Sequence, residues 1–341
     1  MNRISDKEAV QMFHSPGLLP AGLMADRLRQ ELHPDNTATF IIDRNINYTN
    51  ICTAHCKFCA FHNDKGYLLS KDALAEKIRE TVELGGTQIL LQGGLHPGLP
   101  LEFYEDMMGF IRENFKIHVH AFSPPEICNI SNISGLGIKE VIKRLKDSGL
   151  DSIPGGGAEI LVDSVRAGVS PNKCTVSEWL EVMRTAHKAG LRTTATMMFG
   201  FTETVEDRVE HLEKIRLLQD ETGGFTSFIP WTFQPGNTRM SYLRTAGGVD
   251  YLKTLAIARV FLDNIPNIQA SWVTQGNKVA QAALRFGAND IGSTMIEENV
   301  VSATGVSFEV TKEELIGLIA NAGFTPARRD SSVDFAPRQV F

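Results

Sequence analysis

Three cysteines fall within eight residues, Cys52, Cys56 and Cys59 in the stretch ICTAHCKFCAF. Their spacing is C-x3-C-x2-C. Asn50, Thr53, His55 and Lys57 interleave with the thiols, so the stretch does not read as buried core. Three thiolates on one short loop suit a [4Fe-4S] cube, in which each thiolate holds one iron and the fourth iron stays open to a bidentate ligand. Zinc is the alternative, with His55 or His62 as a fourth ligand. Structural zinc sites usually pair two knuckles set well apart, and the sequence has no second knuckle. Cys128 and Cys174 sit alone and read as structural thiols. An odd total of five cysteines, behind a polar and amphipathic start (MNRISDKEAVQMF), argues against a disulfide framework.

A loop of this kind needs a scaffold. The first 37 residues read as a helical preface, SDKEAVQMF and LMADRLRQEL, broken by Ser15-Pro16-Gly17. From there strands and helices alternate. The strand candidates are Thr39–Ile46, Gln88–Gln92, Ile117–Phe122, Ser152–Ile153, Thr193–Phe199, Thr226–Phe233, Ile268–Val273 and Asp290–Thr294. Amphipathic stretches such as KDALAEKIRETVELG, IKEVIKRLKDSG and VSEWLEVMRTAHKAG lie between them, several ending in Gly. Eight strands, with a helix after nearly every one, predict an α/β fold of parallel βαβ units. The expectation is a (β/α) barrel over 38–310, with a six-stranded core extended to eight strands, followed by a C-terminal helix and tail over 311–341. A doubly wound sheet would carry a G-x-G-x-x-G turn after the first strand, and none is there.

Barrel chemistry sits where strands end and loops begin. The cysteine loop follows the first strand, Gly93-Gly94 the second, SPPEI the third, PGGGAEIL the fourth, FGFTET the fifth, QPGNT the sixth and TQG the seventh. Taken singly each is an ordinary βα turn; together they form a credible pocket rim. Among 341 residues, 43% are apolar and 22% charged, which excludes a disordered chain. A net charge of -6 gives no footprint for nucleic acid or an anionic membrane. No apolar run approaches the roughly 20 residues of a membrane span. The expected location is the cytoplasm, with no nucleic-acid or membrane partner.

A C-x3-C-x2-C loop after the first strand of a barrel is the hallmark of radical S-adenosylmethionine enzymes, and this sequence resembles them. The resemblance implies that Cys52, Cys56 and Cys59 hold a [4Fe-4S] cluster whose open iron chelates S-adenosyl-L-methionine. Phe58 matches the aromatic position that flanks adenine. Gly93-Gly94 resembles a Gly-Gly-Glu turn that binds the amino group; Leu95 stands in place of the Glu, which turns attention to backbone carbonyls and Gln92. Glu159 in GGGAE matches a ribose-binding position. Thr196-x-Met198-x-Gly200-x-x-Glu203 is similar to the adenine-binding G-x-I-x-G-x-x-E pattern, with Thr for its first Gly. A plainer reading of Glu203 is an acid favoured at a helix N-terminus.

Seven longer stretches, among them RNINYTNICTAHCKFCAF, SIPGGGAEILVD and LQDETGGFTSFIPWTFQPGNT, look like the menaquinone and deazaflavin branch of the family. FIPWTFQPGNT and NINYTN look most like its ring-closing members. That implies a small-molecule substrate in which a ribose carbon radical, made by hydrogen abstraction, adds to a benzoate ring. It also implies a low-potential electron donor such as flavodoxin or ferredoxin. Sister activities of the branch add the adenosyl group to substrate or build a deazaflavin. Such chemistry would suit a lumen lined by Met197, Met198, Phe199, Phe228, Trp231 and Phe233. Candidate substrate contacts at strand ends are Gln234, Asn237, Thr238, Ser271 and Gln275, with Thr232 and Arg239 beside them. His96 and Glu159 are candidate acceptors for the final proton. His118 and His120 read as packing or hydrogen-bonding residues, and Glu297–Asn299 as a solvated loop.

Overall fold

The computed structural model describes residues 3–330 and 337–341. Among the described residues, eleven strands run β1 (Thr37–Ile41), β2 (Asp43–Asn47), β3 (Gln88–Gln92), β4 (His118–Ala121), β5 (Ser152–Ile153), β6 (Arg192–Phe199), β7 (Phe225–Thr232), β8 (Asn267–Ile268), β9 (Asp290–Ser293), β10 (Thr325–Arg329) and β11 (Pro337–Val340). Strands β2 to β8 form a seven-stranded parallel sheet in sequence order, and a second sheet runs β11-β10-β1-β9. The two sheets meet at both edges. β1 and β2 are one run interrupted at Ile42. At the other edge Gln269 bridges Asp290, Ala270 N donates to Asp290 O at 2.8 Å and Asn289 N to Ile268 O at 3.0 Å. β9 then pairs in parallel with β1 through Thr39–Asp290 and Ile41–Ser293, and Ile296 N reaches Asp43 O at 3.1 Å. Eight parallel strand positions thus close a ring, as the alternation of strands and helices predicted.

Strand polarity sets what faces the lumen. Along β6, Thr194 and Thr196 line the interior cavity while Ala195, Met197 and Phe199 pack into the core between strands and helices. Phe228 and Trp179 are fully buried in that same core. Truncating a buried Phe of this kind costs roughly 3–5 kcal/mol. Local signals fix the helix starts. Thr204 and Asp207 form a capping box at the start of helix Val205–Thr222, which ends on Gly223 in the left-handed region.

Three segments differ from the sequence expectation. SPPEI does not stay a loop: helix Pro124–Ser134 begins there, with Pro in its first turn and a Ser123–Glu126 capping box. The strand expected over Ile268–Val273 stops at Ile268, and Trp272–Gln275 forms a single helical turn. Beyond helix Lys312–Asn321 the chain adds β10, parallel to β1 from Thr37–Thr325 to Phe40–Arg328, and β11 antiparallel outside it. The preface forms helices Asp6–His14 and Leu19–Leu32, the second seated against Phe286 so closely that a Cβ at Gly22 would lie 2.5 Å from the ring. Among the described residues no helix is long and apolar enough to cross a membrane.

Candidate active site

The cysteine loop leaves the C-terminal end of β2 and is held from three sides. Thr53 N and Oγ1 both donate to Leu95 O, at 3.0 and 3.1 Å, on the turn after β3. Lys57 N donates to Val169 O at 2.8 Å. Arg239 N donates to Lys57 O at 3.0 Å, and the Arg239 guanidinium bonds the His55 carbonyl. Arg239 therefore clamps the loop rather than facing the lumen. His55 takes a positive φ of 47°, the kink that turns the loop between its first and second cysteines. Cys56 is buried, Cys52 and Cys59 partly so, and all three pack with Ala54 and Leu95. Burial pushes the Cys56 thiol up to about 12, with the Lys173 charge pulling the other way. His55 and His62 stack edge to face at 5.4 Å, and His62 Nδ1 lies 3.1 Å from Cys59 O.

The glycine turn abuts this loop directly. A Cβ at Gly94 would stand 2.2 Å from Ile51 O and 2.8 Å from Cys52 Cβ, and one at Gly93 would meet the Tyr48 ring at 2.4 Å. Only glycine permits that approach. Behind the turn, Glu126 accepts from Gly93 N (2.9 Å), Tyr48 Oη (2.8 Å), Ser123 N (2.8 Å) and Ser123 Oγ (2.6 Å). Nothing in the local sequence around Gly93 signals this partner, which arrives from the helix after β4.

On the next side stands a buried charge cluster. Glu159, in the left-handed region at φ 44°, pairs with Lys173 at 2.8 Å and Arg166 at 3.2 Å. Lys173 Nζ lies 5.2 Å from the centre of the Phe58 ring. The sequence reading missed Lys173 and Arg166, although both follow Glu159 within fourteen residues. Arg166 Nη2 also approaches Cys174 Sγ at 3.8 Å, and Cys174 and burial push the Cys128 thiol up, so these two cysteines are neighbours in space. At the end of β6, Glu203 accepts from Gly200 N (2.7 Å) and Phe201 N (2.9 Å) and pairs with Arg208 at 2.9 Å, folding the turn that displays Gly200 at φ 93°. Met198 N donates to Glu159 O at 3.0 Å, which ties the two turns together.

Inside the ring lies a cavity of about 550 Å³. Its wall is mixed: Asn45, Gln88, Gln92, His118, His120, Thr194, Thr196 and Gln269 line it beside apolar side chains such as Leu90, Ile229, Trp272 and Ile291. Of the six apolar side chains expected there, only Trp231 lines it; Met197, Phe199 and Phe228 turn outward, and Met198 and Phe233 pack with Val169 and Met240 near Phe58. Asn45 Oδ1 is buried and has no hydrogen-bond partner among the described residues. Burial lowers the His120 pKa to about 3, with the neighbouring His118 and Arg329 adding to the effect.

Of the substrate-contact candidates, Ser271 alone lines the cavity. Gln234 donates to Thr232 Oγ1 (3.0 Å) and Thr274 O (3.2 Å), and Gln275 donates to Thr232 Oγ1 (2.6 Å). Asn237, at φ 55°, donates to Ala303 O (3.0 Å), and Thr238 donates to Pro235 O (2.7 Å). These four brace the rim loop through their own bonds. His96 lies outside the cavity lining, its Nδ1 accepting from Gly98 N at 3.1 Å, and both Glu159 oxygens face cations. Neither is placed as an open base in the lumen. The Glu297–Asn299 run is not simply solvated: Glu297 pairs with Lys77 at 2.7 Å, and Glu298 lines the cavity while accepting from the Val300, Val301 and Ser302 amides.

The sequence matches the Radical SAM superfamily over residues 46–215 and the CofH/MqnC C-terminal region over residues 222–340. The cyclic dehypoxanthine futalosine synthase of Halalkalibacterium halodurans is 45% identical, over 97% of this chain and 91% of that protein. The 5-amino-6-(D-ribitylamino)uracil–L-tyrosine 4-hydroxyphenyl transferase of Archaeoglobus fulgidus is 47% identical, over 90% of this chain and 91% of that protein. Among solved structures, methylornithine synthase (PylB) superposes with a TM-score of 0.73 at 15% identity, covering 96% of this chain and 95% of that one. The hydrogenase maturase HydG gives 0.76 at 16% identity, over 96% and 72%. At such identities these two structures bear on the fold alone. The chain belongs to the radical SAM superfamily and is an enzyme. Within that superfamily it belongs to the group whose C-terminal region is shared by CofH and MqnC.

The residues fit the group this family carries. Among the described residues no set of three His, Cys, Asp or Glu is arranged around one metal ion. A [4Fe-4S] cluster is held by thiolates that each take a different iron. Cys52, Cys56 and Cys59 are the three soft donors, and the glycine turn leaves the backbone of Gly93 and Gly94 beside them.

Proposed function

We propose that this enzyme closes the ring of dehypoxanthine futalosine in menaquinone biosynthesis, yielding cyclic dehypoxanthine futalosine. The observation that carries this reading is the 45% identity to the Halalkalibacterium halodurans synthase over 97% of the chain. The cavity inside the ring supports it, because a ribose with several hydroxyls needs the hydrogen-bonding side chains that stand among the apolar ones on its wall. A cluster held by Cys52, Cys56 and Cys59 with S-adenosylmethionine bound, given an electron by a donor such as flavodoxin or ferredoxin, would supply the hydrogen-abstracting radical chemistry.

The chain's own part is positioning. Cys52, Cys56 and Cys59 hold the cluster; the Gly93-Gly94 backbone with Gln92, Phe58, Lys173 and Glu159, and the turn from Thr196 and Met198 through Gly200 and Glu203 surround the cofactor. Asn45, Gln92, Thr194, Thr196 and Ser271 offer hydrogen bonds to the substrate, and Trp231 offers an apolar face. Hydrogen leaves the ribose at C4′, and the carbon radical adds to the benzoate ring held next to it. Holding the two carbons in a near-attack pose can contribute up to roughly 7–11 kcal/mol. Loss of a proton and an electron then restores the aromatic ring.

Anaerobic reconstitution, reduction and mass spectrometry with dehypoxanthine futalosine test the assignment. One equivalent of 5′-deoxyadenosine with a product two hydrogens lighter supports it. The 47% identity to the Archaeoglobus fulgidus transferase favours a second reading, in which tyrosine and 5-amino-6-(D-ribitylamino)uracil are the substrates. Turnover of that pair, with the futalosine left untouched, overturns the first.

A further inference from the structure

One hydrogen-bonded line in the lumen is not used by the cofactor or by the ribose contacts. His118 Nε2 and His120 Nδ1 each lie 2.7 Å from Ser152 Oγ. The geometry follows from the strands: residues two apart on β4 face the same side, and His120 pairs with Ser152 across the β4–β5 ladder. A hydroxyl carries one proton, so Ser152 donates to one ring and accepts from the other. Both imidazoles line the lumen, and His118 with Asp151 also lines a second cavity of about 1010 Å³. That cavity opens at the N-terminal ends of the strands, beside Thr87, Ile117 and Leu191, at the end of the barrel away from the cysteine loop.

The other acids of the lumen are engaged. Asp43 bonds Gln88 Nε2 at 2.8 Å and the Ser293 hydroxyl. Glu298 caps three backbone amides, and Asp151 accepts from Val119 N at 2.8 Å. His120 lines the cavity, and its Nε2 has no hydrogen bond among the described residues.

We propose that His120, Ser152 and His118 form a path that carries the proton released from the substrate's aromatic ring to the far end of the barrel, an inference that rests on the ring-closing reading above. The ring C–H bond breaks heterolytically and its proton joins His120 Nε2. The Nδ1 proton of His120 passes to Ser152 Oγ, and the Ser152 proton passes to His118 Nε2. The C–H electron pair stays in the ring. The one surplus electron leaves to a one-electron acceptor of the iron–sulfur class. Burial lowers the His118 pKa, against the pull of the Asp151 and Asp330 carboxylates, so its imidazolium is transient and gives up the proton at the second cavity. Burial keeps both imidazoles neutral at rest, so each passes the proton on. Release at this end keeps the radical side of the lumen dry.

The test uses the reconstituted enzyme with Ser152→Ala and His120→Gln, counting 5′-deoxyadenosine and cyclic product in one turnover. Loss of a general base costs at least roughly 10²-fold. The unaltered enzyme gives the two in a one-to-one ratio. Each variant is expected to lose product by about that factor while 5′-deoxyadenosine falls less than about threefold. Nitrogen-15 histidine spectra, taken before cluster loading, are expected to show His120 as the Nδ1–H tautomer and to lose that preference in Ser152→Ala. Variants that keep the one-to-one ratio, or a His120 found as the Nε2–H tautomer, overturn the path and leave the proposed function standing. An unaltered enzyme that makes no cyclic product overturns the proposed function and the path with it.

Discussion

Glu126 Oε1 accepts a 2.9 Å hydrogen bond from the backbone of Gly93, thirty-three residues away. The carboxylate is thereby the rear wall of the glycine turn whose front faces the cysteine loop. Changing Glu126→Gln replaces one acceptor oxygen with an N–H₂ group among four donors. Stability is expected to fall by roughly 1–3 kcal/mol, the cost of a buried mismatch. S-adenosylmethionine affinity should fall with it. A denaturant midpoint and a cofactor titration that both stay unchanged would contradict the assignment.

Gly94 makes a sharper test of the loop. Gly94→Ala places a methyl group 2.2 Å from Ile51 O, so the cysteine loop must shift. The chain should fold but bind less iron and sulfide per mole. Gly109→Ala is the contrast: nothing lies within 4 Å of its added Cβ, and it sits inside helix Leu101–Asn114. That change should raise stability by about 0.5–1 kcal/mol and leave iron content alone.

Acid should weaken the fold through histidines. Burial lowers His120 and His211 to about 3 and His187 to about 4, from 6.5. Unfolding frees them to take protons, so their contribution is present above pH 6.5 and is lost as pH falls from 6.5 toward 4. Three such groups give a slope of up to about 4 kcal/mol per pH unit. Asp43 and Glu126, raised by burial, oppose it. His211 Nδ1 accepts from Leu161 N at 2.9 Å. A His211→Asn variant, whose Oδ1 can take that bond, should flatten the slope by about 1.4 kcal/mol per pH unit, read from urea midpoints between pH 7.5 and 5.

Asn45 separates binding from folding. Its Oδ1 is buried beside the cavity without a partner among the described residues, so the folded protein gains nothing from it. Asn45→Ala should leave the unfolding midpoint unchanged or higher. The KM for the substrate should rise about tenfold, equivalent to one hydrogen bond of about 1.4 kcal/mol. A lowered midpoint with an unchanged KM would remove Asn45 from the site.

The barrel was legible because its strands and helices carry strong periods. The Gln88–Gln92 strand was read with its true limits, and the cysteine loop and glycine turn were placed at the correct strand ends. Which side of an apolar strand faces inward was not legible. Met197, Met198 and Phe199 follow one another, so alternation gives no sign of the lumen face. The start of helix Pro124–Ser134 was legible and overlooked, since Ser123, two prolines and Glu126 spell a capping box. Other features depend on distant partners. Glu126 behind Gly93 and β10 beside β1 are contacts that no local window contains.

That last pairing bears on the order of events during synthesis. Thr37 waits for Thr325, and the seam beside it waits for Asp290, so the ring cannot seal until most of the chain has left the ribosome. The cysteine loop is made early, between Cys52 and Cys59, and until the seam closes it is an exposed, unfinished edge. Iron delivery to a nascent chain therefore has an interval whose length is set by translation of the residues between Cys59 and the seam at Asp290, and slow codons there would lengthen it.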